Sequence, residues 1–265
     1  MHIFGLYPGL EIVRQALRER VPPFHVTVYA RSPEKLAAAG ITAPPDQMNL
    51  IRGSLTDQSG VDAAVRGSDA VLVALGSAGL SGLFFKDTVC SEGTAAIIRA
   101  MNAASVRRLI VCSSMGASES KPWIPSFVYW ILKYPLLVRK QRLSRTCTSI
   151  RTLTPGPYTQ PKTHTPSPPP PRGESDRPYF SRPWPQDKDV QEASVRSADG
   201  IDHVIVRPTG LASSPGRGTQ AIAVTLNGPV PVSRIARADV ATFMLDQVSG
   251  NEFVGKAPGI SWRDK

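Results

Sequence analysis

The sequence predicts an α/β fold, one doubly wound parallel sheet with helices on both faces, and three observations predict it. Short β-branched runs recur along the chain, helical apolar patterns separate them, and 265 residues that are 41% hydrophobic and 20% charged are enough to bury one full core. Strands and helices alternating at this spacing give parallel βαβ units, with ligands bound at the carboxyl ends of the strands.

The first element is a helix over Leu10–Arg20, with Ile12, Val13, Ala16 and Leu17 on one face. His25–Ala30 and Asn49–Arg52 follow as strands, then a helix over Gln58–Val65 and a strand over Ala70–Ala74. A helix over Cys90–Ala104, a strand over Arg108–Cys112, a helix over Asp187–Ser197 and a strand over His203–Arg207 complete the set. The strand segments are nearly continuous apolar runs, the pattern of strands covered on both faces.

Composition narrows the function. Three cysteines, Cys90, Cys112 and Cys147, form no C-x-x-C pair and have four histidines to accompany them, which argues against a disulfide scaffold and against a metal site. A reducing, cytoplasmic setting is expected. The start of the chain has no basic segment followed by a long apolar one, and Trp123–Val138 is interrupted by Pro125, Lys133 and Pro135, so neither a secretory leader nor a membrane span is expected.

The net charge of +10 is unevenly placed. Residues 140–186 hold eight basic residues against Glu174 and Asp176, a net +6, and eleven of the 25 prolines. The remaining charge is ordinary, and no helix-turn-helix, zinc-finger or aromatic-plus-basic signature accompanies it, so specific nucleic-acid binding is not expected. The proline-rich composition leaves too little apolar surface to offset ordering entropy. The sequence therefore predicts a disordered insert over 140–186, with Pro166 and Pro169 of a P-x-x-P as an alternative docking ligand.

The chemistry-bearing positions begin at the first turn, Gly5-Leu-Tyr-Pro-Gly9. A phosphate-cradling turn needs glycines for close approach of backbone N–H groups; Gly5 and Gly9 are the candidates, each in a different frame of G-x-x-G-x-x-G, and Pro8 removes an N–H. Weak pyrophosphate binding follows, with Glu11 adding like charge near the helix start. Arg31 stands at the end of the second βα unit's strand with Lys35 downstream and no acid at the strand end. That pattern selects a 2′-phosphate over a free 2′-hydroxyl, hence NADPH over NADH.

Seven blocks then carry a resemblance. Ile12–Leu17, Ala30–Leu36, Arg52–Asp57, Asp69–Gly76, Val111–Gly116, Val206–Gly210 and Ile235–Val240 resemble, in order, those of the atypical short-chain dehydrogenase/reductases of the NAD(P)-binding, NmrA-like, flavin-reductase and biliverdin-reductase-like type, especially small fungal members. The resemblance covers residues 9–139 and 187–262 and implies a Rossmann-like single domain. It also implies that Arg31 meets the 2′-phosphate, that Ser54 and Leu55 flank the adenine, and that Leu75, Gly76 and Ser77 line the ribose and phosphates. Ser113 and Ser114 would sit beside the nicotinamide as the catalytic candidates, with Pro208 and Thr209 closing over the ring.

The departures are Ser54, where the family usually has Asp, and the glycine turn, where eight residues precede Gly9 and the family needs about a dozen for a strand and loop. The family also runs directly from the 135–139 segment into Asp187, so 140–186 reads as a retained intron or mis-spliced segment, or else as a regulatory insertion. Tyr129 and Lys133 have the Tyr-x-x-x-Lys spacing of a proton relay, but in the family alignment the helix lysine is Lys188, with Glu192 one turn on. The resulting reading is a monomeric NADPH-dependent reductase passing hydride to a small-molecule acceptor, a flavin, tetrapyrrole or quinone. The alternatives are a non-catalytic NAD(P)-sensing regulator or a poorly functional mis-spliced product.

Overall fold

The computed structural model describes residues 1–4, 9–20, 22–76, 88–123, 186–231 and 234–263. Strands β1 (His2–Phe4), β2 (Val26–Ala30), β3 (Met48–Arg52), β4 (Ala70–Val73), β5 (Arg108–Cys112) and β6 (Asp202–Pro208) are parallel neighbours in the order β3-β2-β1-β4-β5-β6. Beyond them β7 (Gly210–Ala212) pairs with β9 (Arg234–Ala236) apart from the main sheet. Strand β10 (Gly259–Trp262) joins β6 in parallel, and β8 (Ile222–Thr225) closes that edge antiparallel to β10. The order reverses between β1 and β4, the switch point where such sheets open a crevice for ligands.

Six helices cover the sheet among the described residues: α1 (Gly9–Arg18), α2 (Glu34–Ala38), α3 (Gln58–Val65), α4 (Val89–Ala103), α5 (Gln186–Arg196) and α6 (Arg237–Asp246). Alternation along each strand divides the core. Ile3, Val28, Leu72, Ile110 and Val206 pack on the side of α1 and α6. Phe4, Tyr29, Val73, Val111 and Ile205 pack on the side of α3 and α4. This is the two-sided burial that makes parallel strands continuous apolar runs.

Polar groups fix the helices locally. Asp57 caps α3 by accepting the Gly60 N–H at 3.1 Å. The α4 N-terminus is capped from another element: Asp187 of α5 accepts the Cys90 and Ser91 N–H groups, both at 2.9 Å, satisfying donors that a helix end otherwise leaves open. Gln15 ties α1 to α6, donating to the Ala238 carbonyl at 2.8 Å and accepting from Thr242 at 2.9 Å.

The expected α/β sheet is present, with β5 and α3 at their anticipated bounds and the other anticipated elements displaced by a residue or two. A first strand does form ahead of α1, with three residues that hydrogen-bond to β2 on one side and β4 on the other. Residues 5–8, Tyr129, Lys133 and 140–185 lie outside the described residues.

Candidate functional site

The carboxyl ends of the strands gather the anticipated positions. Gly9 opens α1 and is buried, and a Cβ there would meet the Ala74 methyl at 3.9 Å, an ordinary contact. Glu11 in the first turn of α1 is ion-paired with Arg14, so the negative charge anticipated near the helix start is largely offset. Gly5 and Ser77 lie outside the described residues. Arg31 is exposed immediately after β2 and makes no ion pair among the described residues, whereas Arg52 nearby in the fold pairs with Glu34 at 3.2 Å.

After β3, the Ser54 hydroxyl shares a hydrogen bond with Thr56 at 2.8 Å, and the Ser54 carbonyl accepts from the Tyr29 hydroxyl at 2.9 Å. Leu55 and Leu75 both converge on Gly93 of α4. A Cβ at Gly93 would stand 2.6 Å from Leu55 Cδ1 and 2.9 Å from Leu75 Cδ1. Leu75 and Gly76 leave β4 at the switch point, Leu75 buried and Gly76 exposed.

Lys188 of α5 spans the ends of β4 and β5, its Nζ donating to the Leu75 carbonyl at 3.0 Å, the Cys112 carbonyl at 2.9 Å and Gln191 Oε1 at 2.8 Å. All three ammonium protons are thereby used by the protein. Gln191 in turn donates to Thr94 of α4 at 2.7 Å. The Cys90 thiol is pushed up to about 11, by burial first, against a smaller opposing pull from Lys188.

The two adjacent serines differ. Ser113 is buried and donates to Glu192 Oε1 at 2.5 Å. Ser114 Oγ is buried with no hydrogen-bond partner among the described residues, and so is Thr209 Oγ1 beyond the end of β6. The Pro208 carbonyl accepts the Met115 N–H at 2.9 Å, and the Thr209 N–H reaches the Ile260 carbonyl at 3.1 Å, so the ends of β5, β6 and β10 are held together.

Beneath these serines lies a buried charge network. Glu192 of α5 and Arg207 of β6 are both fully buried and joined twice, Nε to Oε1 at 3.0 Å and Nη2 to Oε2 at 2.6 Å. Arg207 also reaches Glu119 at 2.9 Å, and Arg196 closes on Glu192 and Glu119 at 3.1 and 2.8 Å. Burial opposes charge on Glu192, but the hydrogen bonds from Arg207 and Ser113 outweigh it and hold the carboxyl below its ordinary range. Sequence reasoning noted Lys188 and Glu192 through their alignment and passed over Arg207. The available signal was a guanidinium closing the apolar run His203–Arg207.

Buried hydroxyls without a partner are costly unless a ligand completes them. Ser114 and Thr209 therefore fit a polar group held over the ends of β5 and β6, and the exposed Arg31 fits an anionic one beyond β2. A family model described as NAD(P)H-binding matches residues 8–148 and 159–250. A short-chain dehydrogenase/reductase (wide type) from Veillonella parvula, solved in complex with NADP, is similar in fold, with a TM-score of 0.63 at 15% identity over 98% of this chain and 93% of that one. ChuY, an anaerobillin reductase from Escherichia coli O157:H7, gives a TM-score of 0.62 at 17% identity over 100% and 97%. The oxidoreductase ylbE from Lactococcus lactis gives 0.63 at 16% over 100% and 92%. Among the described residues no helix is long and apolar enough to cross a membrane.

Proposed function

This chain belongs to the NAD(P)H-binding family, and on that premise we propose that it is an NADPH-dependent reductase of a planar small-molecule acceptor, a flavin, tetrapyrrole or quinone. The observation that carries the reading is the pair of unpartnered buried hydroxyls, Ser114 and Thr209, at neighbouring strand ends. The relation in fold to an anaerobillin reductase supports a tetrapyrrole among the acceptor classes.

Bound NADPH supplies a hydride, two electrons and one proton, and leaves as NADP⁺, while the acceptor takes its second proton from solvent or a hydroxyl. The residues of this chain bind and orient. Arg31 holds the 2′-phosphate; Ser54, Leu55, Leu75 and Gly76 frame the adenosine half, with Gly5, Gly9 and Ser77 at the phosphates. Ser114, Pro208 and Thr209 receive the nicotinamide end. Lys188 keeps the ends of β4 and β5 at a fixed separation through the Leu75 and Cys112 carbonyls.

The domain organisation follows the same reading: 1–139 and 187–265 form the nucleotide-binding domain and 140–186 an insert. The family match breaks only between 148 and 159 and enters this stretch from both sides. Deleting 140–186 tests how much of it the domain needs, and a fall of several degrees in melting temperature refutes the insert reading.

The function is tested by fluorescence titration with NADPH and NADH, then by reduction of flavin mononucleotide (FMN). Tighter binding of NADPH by about 10- to 100-fold is expected, the weight of a charge-assisted contact to the extra phosphate. Equal affinity refutes the cofactor preference. A second reading, a sensor without turnover, draws on Lys188, whose three protons are already taken by protein acceptors. Tight NADPH binding with no reduction of flavin, quinone or tetrapyrrole acceptors selects it.

A further inference from the structure

We infer that Glu192 is a positioning residue that sets the hydrogen-bond polarity of the Ser113–Ser114 pair: it accepts the Ser113 hydrogen bond, so that Ser114 is the serine left free to donate to an acceptor carbonyl. The ligand-facing half of this inference rests on the proposed reductase function; the wiring of the two serines does not.

The argument begins with charge. Arg207 is fully buried and needs a compensating anion, because an unpaired guanidinium in the interior is very costly. Glu192, equally buried, supplies it through two hydrogen bonds, with Arg196 and Glu119 at the outer edge of the cluster. A carboxylate held ionised by these partners only accepts hydrogen bonds. Ser113, at 2.5 Å from Oε1, therefore has to donate to it. Its proton is spent inside the protein, and toward any other group its oxygen is an acceptor.

Ser114, the next residue, follows in the irregular segment beyond β5. Its hydroxyl has no partner among the described residues, so it is free to donate or to accept. The two serines cannot exchange roles while Glu192 is charged. A substrate carbonyl gaining electron density on reduction needs a donor, and Ser114 fits that need.

The experiment has two arms. In the first, the Glu192 carboxyl is titrated by carbon-13 NMR in the unmutated chain, in Ser113→Ala and in Ser114→Ala. Removing the Ser113 donor is expected to shift the Glu192 midpoint upward, because a hydrogen bond to the charged form is lost; removing Ser114 is expected to leave it in place. An unmoved midpoint in Ser113→Ala, or an equal shift in both variants, overturns the wiring.

In the second arm, NADPH affinity and FMN reduction are measured for the same proteins. Ser114→Ala is expected to lower kcat by about 100-fold, as for loss of one donor to a developing oxyanion, with a smaller loss of NADPH affinity. Ser113→Ala is expected to lower kcat by less than Ser114→Ala does. Comparable losses in the two variants overturn the assignment of Ser114. If the unmutated chain binds no NADPH, the proposed function and the ligand-facing half both fall, and the NMR arm alone decides the wiring. Glu192→Gln, which keeps an oxygen for Ser113 without the charge, is expected to retain more activity than Glu192→Ala. Equal loss in both, with both folded, means that the charge facing Arg207 and not the acceptor offered to Ser113 is what matters, and overturns the positioning role.

Discussion

Replacing Arg207 by Met tests the energetic core of the site. Met keeps the bulk of the side chain in β6 but removes the partner that meets Glu192 at 2.6 and 3.0 Å and Glu119 at 2.9 Å. Glu192 would then be a fully buried carboxylate supported by Ser113 and by Arg196, the latter partly exposed and in contact at 3.1 Å. Breaking a buried pair from one side costs about 3–5 kcal/mol. The surviving Arg196 contact places this case near the lower end, about 3 kcal/mol. For a domain of this size that corresponds to a fall of about 6–12 °C in Tm.

The sign with pH follows from linkage. In the unmutated chain the Glu192 carboxyl sits below its ordinary range, so its contribution is present above that range and is lost as pH falls through the lowered folded value. In Arg207→Met, burial is no longer opposed by the guanidinium, and the folded value moves up. Acidification then protonates and relieves the buried carboxyl, so the Tm gap between the two proteins narrows as pH falls through the carboxylate range. Thermal melts from pH 7 to pH 4 measure it, and the double variant Arg207→Met with Glu192→Leu is expected to recover part of the loss at pH 7. A loss under about 1 kcal/mol at pH 7, where a surface pair would fall, or a gap that stays constant with pH, refutes the reasoning.

Further outcomes follow from other positions. A Cβ at Gly53 would lie 2.1 Å from the Tyr29 hydroxyl and 2.3 Å from its Cζ, so Gly53→Ala displaces the ring and breaks its bond to the Ser54 carbonyl; a loss of about 1–3 kcal/mol in urea melts is expected, and no measurable loss contradicts the packing. Arg31→Glu is expected to abolish or reverse the preference for NADPH in a fluorescence titration, and an unchanged ratio of affinities shows that another residue reads the phosphate. Cys90, pushed up to about 11 by burial, and the buried Cys112 are expected to resist a disulfide reagent at pH 8 until urea is added; rapid labelling of either in the folded protein, located by peptide mapping, refutes the burial.

Part of this protein is legible residue by residue in its sequence. The runs that became β2, β4, β5 and β6 are covered on both faces, and that burial writes continuous apolar segments that need no knowledge of their neighbours; β3, at the sheet edge, stays partly exposed. Gln58–Val65 carries its own capping residue, Asp57, and its helix has the anticipated bounds. Arg31 was named from its place at a strand end, and Ser114 from the resemblance alone.

Tertiary structure decided the rest. His2–Phe4 is too short to hold a strand by itself and exists because β2 and β4 present hydrogen-bonding edges on both sides of it. Gly259–Trp262 and Ile222–Thr225 became strands through a parallel pairing and an antiparallel one at the far edge. The difference between Ser113 and Ser114 was equally hidden, since the sequence prints two identical residues. Glu192 lies 79 positions from Ser113 and 15 from Arg207, and nothing local brings the three together. Periodicity records which face of an element is buried; which charge stands opposite a given serine is fixed only when distant segments close on one another around the core.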